Sequence, residues 1–433
     1  MPRCPIGSFV VLLTLCSPPL VAQEPNWVLK SPPNPPTTRY AHAMAYDAAR
    51  RQVVLFGGYD GRGNLLSDTW VWDGTNWTQK SPLNSPGAVA FHAMAYDAAH
   101  GQVVLFGGSN FSSNYPSDTW VWDGTNWTRK TPLNSPAPRG NHAMAYDTAH
   151  GQVVLFGGED FFSDYLNDTW AWDGTNWTQK SPLNSPTPLG GHAMAYDAAR
   201  GQVVLFGGHD ARGNLLGNTW VWDGTNWTQE TPLNSPAPRV FHAMAYDTAR
   251  GQAVLFGGID SLRSQYFNDT WVWDGTNWTW NSPLNSPTPR IFQAMAYDAA
   301  HGQAVLFGGD DNLGSVLNDT WVWSAGIPIP LGSISVTTNL PAASFTITGP
   351  ANYSGSGTSF SQANAPVGNY TITYGPVSGY SAPPDETGTL AAGGTVGVHR
   401  QLSGHEHRGT NLHGARFGSA PWRIHQLQRP GHQ

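Results

Sequence analysis

An all-β fold is predicted for this chain: a six-bladed β-propeller whose N-terminal strand closes the last blade, then a small β-sandwich. Three observations predict it. A unit of about 50 residues recurs six times between residues 24 and 323, marked by the pairs Gly57/Gly58, Gly107/Gly108, Gly157/Gly158, Gly207/Gly208, Gly257/Gly258 and Gly308/Gly309. Each unit holds four short strand-like runs, the content of one propeller blade. The unit is cut unevenly at the two ends of the array, as a closed ring requires.

Residues 1–22 read as a signal peptide. Arg3 supplies a positive start, Phe9 to Leu15 a short apolar run, and Leu20-Val21-Ala22 a small-residue cleavage site. The run is shorter than the ~20 residues of a membrane helix, and no other segment is a candidate span. A lipoprotein reading would take Cys16, but the bulky Leu15 before it argues against this. Cys4 and Cys16 are the two cysteines of the chain. A chain processed after Ala22 would therefore have no thiol for a disulfide, a zinc–cysteine site or a nucleophile. Charged residues make up 12% of the chain, against the usual ~25%, while Trp reaches 20 residues. Stability then rests on stacked aromatics and Gly/Pro turns. A net charge of −7 with no basic stripe argues against nucleic acid as a partner.

Within residues 23–323 the strands follow one pattern. His42 to Asp47 alternates large and small side chains. Gln52 to Phe56 is a continuous apolar run, as in a strand buried on both faces. Asp68 to Trp72 alternates β-branched and aromatic residues, and Asn76-Trp77-Thr78 opens the fourth strand. Asp73-Gly74 supplies a turn between them. The first-strand motif occurs at His42, His92, His142, His192, His242 and Gln293, and the third-strand motif ends at Trp70, Trp120, Trp170, Trp220, Trp271 and Trp321. The Asn-Trp-Thr opening follows only the first five, at Asn76, Asn126, Asn176, Asn226 and Asn277. The missing piece stands at the start: Asn26 to Pro32 matches Asn76 to Pro82. The N-terminal strand is thus expected to complete the last blade.

A strand ending in Gly-Gly, followed by a spaced aromatic pair such as Trp72 and Trp77, resembles the kelch repeat. The resemblance implies four-stranded antiparallel blades. It does not imply one activity, because kelch propellers serve as adaptors, glycan binders and a few enzymes.

Residues 324–331 read as a linker. Residues 332–398 alternate Thr, Ile and Val in runs split by Gly and Pro, the pattern of a small β-sandwich. The Pro341 hairpin and the run Pro366 to Ile372 resemble a PEGA-type module, which implies a bacterial cell envelope and a cell-wall or surface contact. From His399 the composition breaks: residues 399–433 hold six of the 15 histidines, and no final strand is expected there. This tail reads as disorder or, less simply, as a His-rich metal tract.

A meander places alternate connections on opposite faces. The links between strands one and two, and three and four, are nearly uniform. Those between strands two and three, and four and one, differ from unit to unit. Recognition would diversify loops in this way, and so would relaxed constraint. The diversified links carry the candidate binding residues: Arg39, Tyr40, Arg62, Tyr115, Arg139, Phe161, Phe162, Tyr165, Arg212, Arg239, Arg263, Tyr266 and Arg290. Aromatics and arginines around a channel mouth suit a peptide or glycan, with the arginines expected as an exposed basic rim.

The five first-strand histidines and the loop acids Asp60, Asp160, Asp210, Asp260 and Asp311 recur around the ring, too spread to share an ion. The histidines are expected to satisfy buried backbone groups and the acids to close Asx turns. No metal or cofactor is expected. The best acid–base cluster is Glu159, Asp160 and Asp164 beside His209, with Glu159 and His209 the candidate pair. Copper-radical chemistry on this fold needs a cysteine cross-linked to tyrosine, and residues 17–433 contain no cysteine. The preferred reading is a secreted, periplasmic or cell-surface binding protein for a protein or glycan. The alternative is a sugar-active enzyme, mutarotase- or lyase-like, working through Glu159 and His209.

Overall fold

The computed structural model describes residues 25–110, 116–260, 265–311, 313–324, 331–378, 380, 384–391 and 395–400. Two compact units divide at Pro328/Ile329. The described residues contain strands and turns and no helix.

The first unit contains six four-stranded antiparallel sheets. The first sheet shows the plan: Ala43–Asp47, Gln52–Phe56, Thr69–Trp72 and Trp77–Lys80, in that order. The second strand is wholly buried from Val53 to Phe56, which explains its unbroken apolar sequence. Thr69–Trp72 turns Trp72 inward beside Trp77, with ring centroids 5.4 Å apart. The turn between them is set by Asp73, whose Oδ1 accepts the Thr75 and Asn76 amides. The last sheet is Ala294–Asp298, Gln303–Phe307, Thr320–Ser324 and, from the other end of the unit, Asn26–Lys30. Trp27 lies opposite Trp323 and Lys30 opposite Thr320.

The six inner strands neighbour one another in a closed cycle, with Ala43–Asp47 against Ala294–Asp298. Three side-chain relays run around the same cycle. The indole of each fourth-strand Trp donates to a Thr hydroxyl of the preceding sheet, as Trp77 does to Thr320 and Trp127 to Thr69, both at 2.9 Å; Trp27 joins through Thr270 at 2.8 Å. A first-strand Tyr hydroxyl accepts an amide of the preceding sheet, as Tyr96 does from Ala49 and Tyr46 from Ala300. Apolar clusters do the same: Met44, Leu55, Trp72 and Trp77 pack with Ala296, Val305 and Phe307. The core is therefore a set of wedges between sheets, each worth ~25 cal/mol per Å² of apolar surface removed from water.

Gly57 and Gly58 end the second strand with φ of 67° and 95°. A Cβ on Gly58 would stand 2.7 Å from the Tyr40 carbonyl oxygen, so the link from the preceding sheet can cross here only over glycine.

The second unit pairs Tyr353–Ser356, Ser344–Thr348, Gly368–Tyr374 and Glu386–Leu390 in one sheet. Ser359–Pro366, Leu331–Thr338 and Thr395–Arg400 form another. Ile334 and Val336 of one sheet share an apolar cluster with Phe345, Ile347, Tyr370 and Ile372 of the other. The sequence places the end of this unit at residue 398, with its last strand-like run reaching Val396. In the structure that run is two strands, Glu386–Leu390 and Thr395–Arg400, the second running two residues past 398 and parallel to Leu331–Thr338. A parallel partner needs no adjacent hairpin, so no turn signal announces it. The signal-like residues 1–22 and the tail from 401 lie outside the described residues.

Candidate functional site

The residue before each first-strand His or Gln stands at the axial end of the six-sheet unit. These residues are Ala41, Phe91, Asn141, Gly191, Phe241 and Phe292, and all six have positive φ, from 55° to 66°. Their backbones form a closed loop. Phe91 N–H donates to Ala41 O at 2.9 Å, and Asn141 to Phe91, Gly191 to Asn141, Phe241 to Gly191, Phe292 to Phe241 and Ala41 to Phe292 follow at 2.8–3.1 Å. Left-handed backbone costs ~1–2 kcal/mol for a residue with a Cβ, and the ring of hydrogen bonds offsets it. Below the ring lies a cavity of about 140 Å³, lined by the six ring residues and by His42, His92, His142, His192, His242 and Gln293.

The backbone of this mouth is uniform and its side chains are not. One side is aromatic: Phe241 and Phe292 centroids are 4.1 Å apart, Phe91 lies 5.5 Å from Phe292, and Tyr40 and Tyr59 stack behind them at 5.4 Å. Burial, then the neighbouring Tyr59, Asp310 and Asp60, raises the Tyr40 hydroxyl above the usual phenol range. The other side is polar. Asn141 Nδ2 donates to Glu159 Oε1 at 2.6 Å, and His209 meets Gly190 O at 3.0 Å through Nδ1 and the Tyr165 hydroxyl at 2.7 Å through Nε2.

The five histidines stand edge-on to the Phe of the preceding sheet, as His92 does to Phe56 at 5.8 Å. Burial lowers all five, His92 and His192 to about 3, so they are neutral at physiological pH. Gln293 donates to Phe256 O at 2.9 Å. The imidazoles feel the corresponding carbonyls electrostatically, but neither nitrogen has a hydrogen-bond partner. Gln293 thus meets the expectation that this position satisfies a backbone carbonyl, and the histidines turn toward the same carbonyls without closing a hydrogen bond of ordinary geometry. Asp60 does close an Asx turn, accepting the Arg62 and Asn64 amides.

A family model described as KLHDC2/KLHL20/DRC7 Kelch-repeats domain matches residues 23–178. Another, Attractin/LZTR1 beta-propeller, matches residues 103–320, half of the chain. The chain belongs to the kelch-repeat β-propellers. A solved structure entitled "Structure of YjhT" shares the fold with a TM-score of 0.53 at 15% identity, covering 67% of this chain and 95% of that one. No curated protein matches the chain.

The kelch propeller corrects the sequence reading at four arginines. Arg39, Arg139, Arg239 and Arg290 do not form an exposed rim; all are fully buried. Arg139 is typical. Its two terminal nitrogens bind both oxygens of Asp168 at 2.5 and 2.9 Å, one of them also Gly157 O at 3.0 Å, and Nε binds Ala137 O. Asp68, Asp269 and Asp319 hold the other three. A bidentate carboxylate and two carbonyls satisfy the guanidinium inside the propeller, where water would otherwise have to. Burial alone would raise Asp68 and Asp168, but the hydrogen bonds and charge of the arginine outweigh it and hold them below the usual carboxylate range.

Arg62 and Arg212 are exposed, as are Phe161 and Phe162. Tyr165 and Tyr266 are half-buried. Tyr115 and Arg263 lie outside the described residues. Glu159 and His209 flank the mouth through Asn141 and Gly190, without a hydrogen bond to each other among the described contacts. The ring at 41, 91, 141, 191, 241 and 292 escaped the sequence reading. Its signal was present: one position, fixed in register before the His or Gln, filled by Ala, Asn, Gly and three Phe.

Proposed function

We propose that this protein is a secreted or envelope-associated binding protein, a six-bladed kelch propeller that takes a protein or glycan ligand at its axial mouth. The observation that carries the reading is the contrast between a left-handed backbone repeated six times, strained at the five positions that carry a Cβ, and the side chains it displays. Strain is held where function needs rigid presentation. An aromatic platform facing Asn141, Glu159, Tyr165 and His209 suits a sugar ring, which stacks on one face and hydrogen-bonds at its edge. The signal-like N-terminus supports export. The second unit, read as a PEGA-like sandwich, would act as a spacer or wall-docking module.

A glycan array and a pull-down with the mature protein test this. Phe241→Ala keeps the backbone, because Ala41 already occupies the equivalent place. It should weaken a ligand found there by ~1–3 kcal/mol. A ligand indifferent to both Phe241→Ala and Asn141→Ala would place binding elsewhere. The enzymatic alternative is checked in the same protein: turnover of the bound glycan, lost in Glu159→Gln with binding intact, would favour it.

A further inference from the structure

Two of the six blades lack the buried arginine, and they lack it differently. In blade four Leu189 replaces it and Asn218 replaces its aspartate; Leu189 is buried in the apolar cluster with Leu205 and Trp222. That site is apolar and uncharged. In blade two Val89 stands in the arginine's place, but the aspartate is kept as Asp118. Pro116 also replaces the leucine or phenylalanine of the other blades (Leu66, Leu166, Leu216, Phe267, Leu317). A cavity of about 130 Å³ results, lined among others by Val89, Leu105, Gly107, Pro116, Asp118 and Trp120. The Gly107 carbonyl, whose counterparts Gly57, Gly157, Gly257 and Gly308 each accept an arginine N–H, accepts no hydrogen bond here among the described residues.

We propose that the blade-two cavity is a guanidinium socket, filled by an arginine side chain that a protein or peptide partner supplies. The other blades show how the group sits: two nitrogens on the Asp118 carboxylate, one shared with Gly107 O, as in Arg139 on Asp168 and Gly157. The planar fork matches this set of acceptors, and an ammonium, with one charged centre, matches it less well. Arg129, where blade one has Gln79, touches Asp118 Oδ1 at 2.6 Å from the solvent side. Its side chain is 57% exposed, so it screens the carboxylate without filling the cavity.

The test uses the full chain and N-acetyl-arginine amide, with the lysine analogue as control, by calorimetry or ligand-observed NMR. One site of roughly millimolar affinity is expected, at least about fivefold weaker for lysine. Val89→Arg fills the socket from within and should abolish binding, as should Asp118→Asn by at least about tenfold; Arg129→Gln should strengthen it. Melting curves establish that each variant is folded, and Asp118→Asn serves if Val89→Arg does not fold. Absence of binding at 20-fold the expected constant (about 20 mM,) overturns the proposal. So does equal binding of lysine, or binding unchanged in folded Val89→Arg or Asp118→Asn. Phe241→Ala at the axial mouth should leave arginine binding as it is, so the two sites succeed or fail separately.

Discussion

Replacing Arg139 by alanine should destabilise the propeller, and the structure sets the size of the effect. The substitution removes a fully buried guanidinium from Asp168, whose side chain is 22% exposed, and from the Gly157 and Ala137 carbonyls. Breaking a buried ion pair from one side costs ~3–5 kcal/mol. Asp168 keeps its bond from Trp170 Nε1 at 2.7 Å and some access to water, which favours the lower end, and the orphaned Gly157 carbonyl adds about 1 kcal/mol. The expected loss is therefore about 3–4 kcal/mol at pH 7, read by equilibrium urea unfolding. Blade four supplies the control. Arg139→Leu with Asp168→Asn copies Leu189 and Asn218, leaves no buried charge, and should cost about 1 kcal/mol or less. The pH dependence has a definite sign: the depressed Asp168 carboxyl contributes its stability in full above the unfolded value of ~3.9 and loses it as pH falls through the lower folded value. A loss under about 1 kcal/mol in Arg139→Ala, or a double variant as unstable as the single one, would refute the reasoning.

Acid should weaken the ring in a separate window. His92 titrates at about 3 when folded and ~6.5 when unfolded, so its contribution is whole above ~6.5 and declines by ~1.4 kcal/mol per pH unit below that. His92→Gln, which copies the residue found at Gln293, should flatten the slope of unfolding free energy between pH 4.5 and 5.5 by that amount; an unchanged slope would mean that His92 is not held neutral. Trp27→Ala should cost ~3–5 kcal/mol, since the side chain is fully buried between Phe256 and Trp323. Deleting residues 23–32 should lower thermal stability further and promote aggregation through the edge of Thr320–Ser324; a melt within a degree or two of the parent would contradict the pairing.

The strand plan was legible because it is written repeatedly, and the pairing of Asn26–Lys30 with Thr320–Ser324 because one Asn-Trp opening was missing at one end and present at the other. The arginines misled because an arginine in a link ordinarily faces water. Their burial had a trace in sequence: Arg recurs three residues before the His or Gln, Asp recurs before Thr-Trp, and in blade four both change together to Leu189 and Asn218. That joint change marks the two residues as one buried pair. The mouth was less accessible, because positive φ at Phe91 or Phe292 follows from ring closure and not from any preference of phenylalanine. The end of Thr395–Arg400 passes the change in composition at His399, which its parallel pairing ignores.

The closing strand has a consequence for synthesis. Asn26–Lys30 emerges first, yet its partner Thr320–Ser324 is completed almost three hundred residues later. During that interval Trp27 has no slot, and five other Thr-Trp-x-Trp strands pass it in turn. Each of those has its own fourth strand only four residues on, through an Asp-Gly-Thr-Asn turn such as Asp73–Asn76, and that short loop closes at lower entropic cost than the long one back to Asn26–Lys30. Thr320–Ser324 alone has no such neighbour waiting downstream among the described strands. Correct closure is thus decided by elimination along the nascent chain, and a lesion in any of the five local turns would offer the first strand a wrong home before the right one exists.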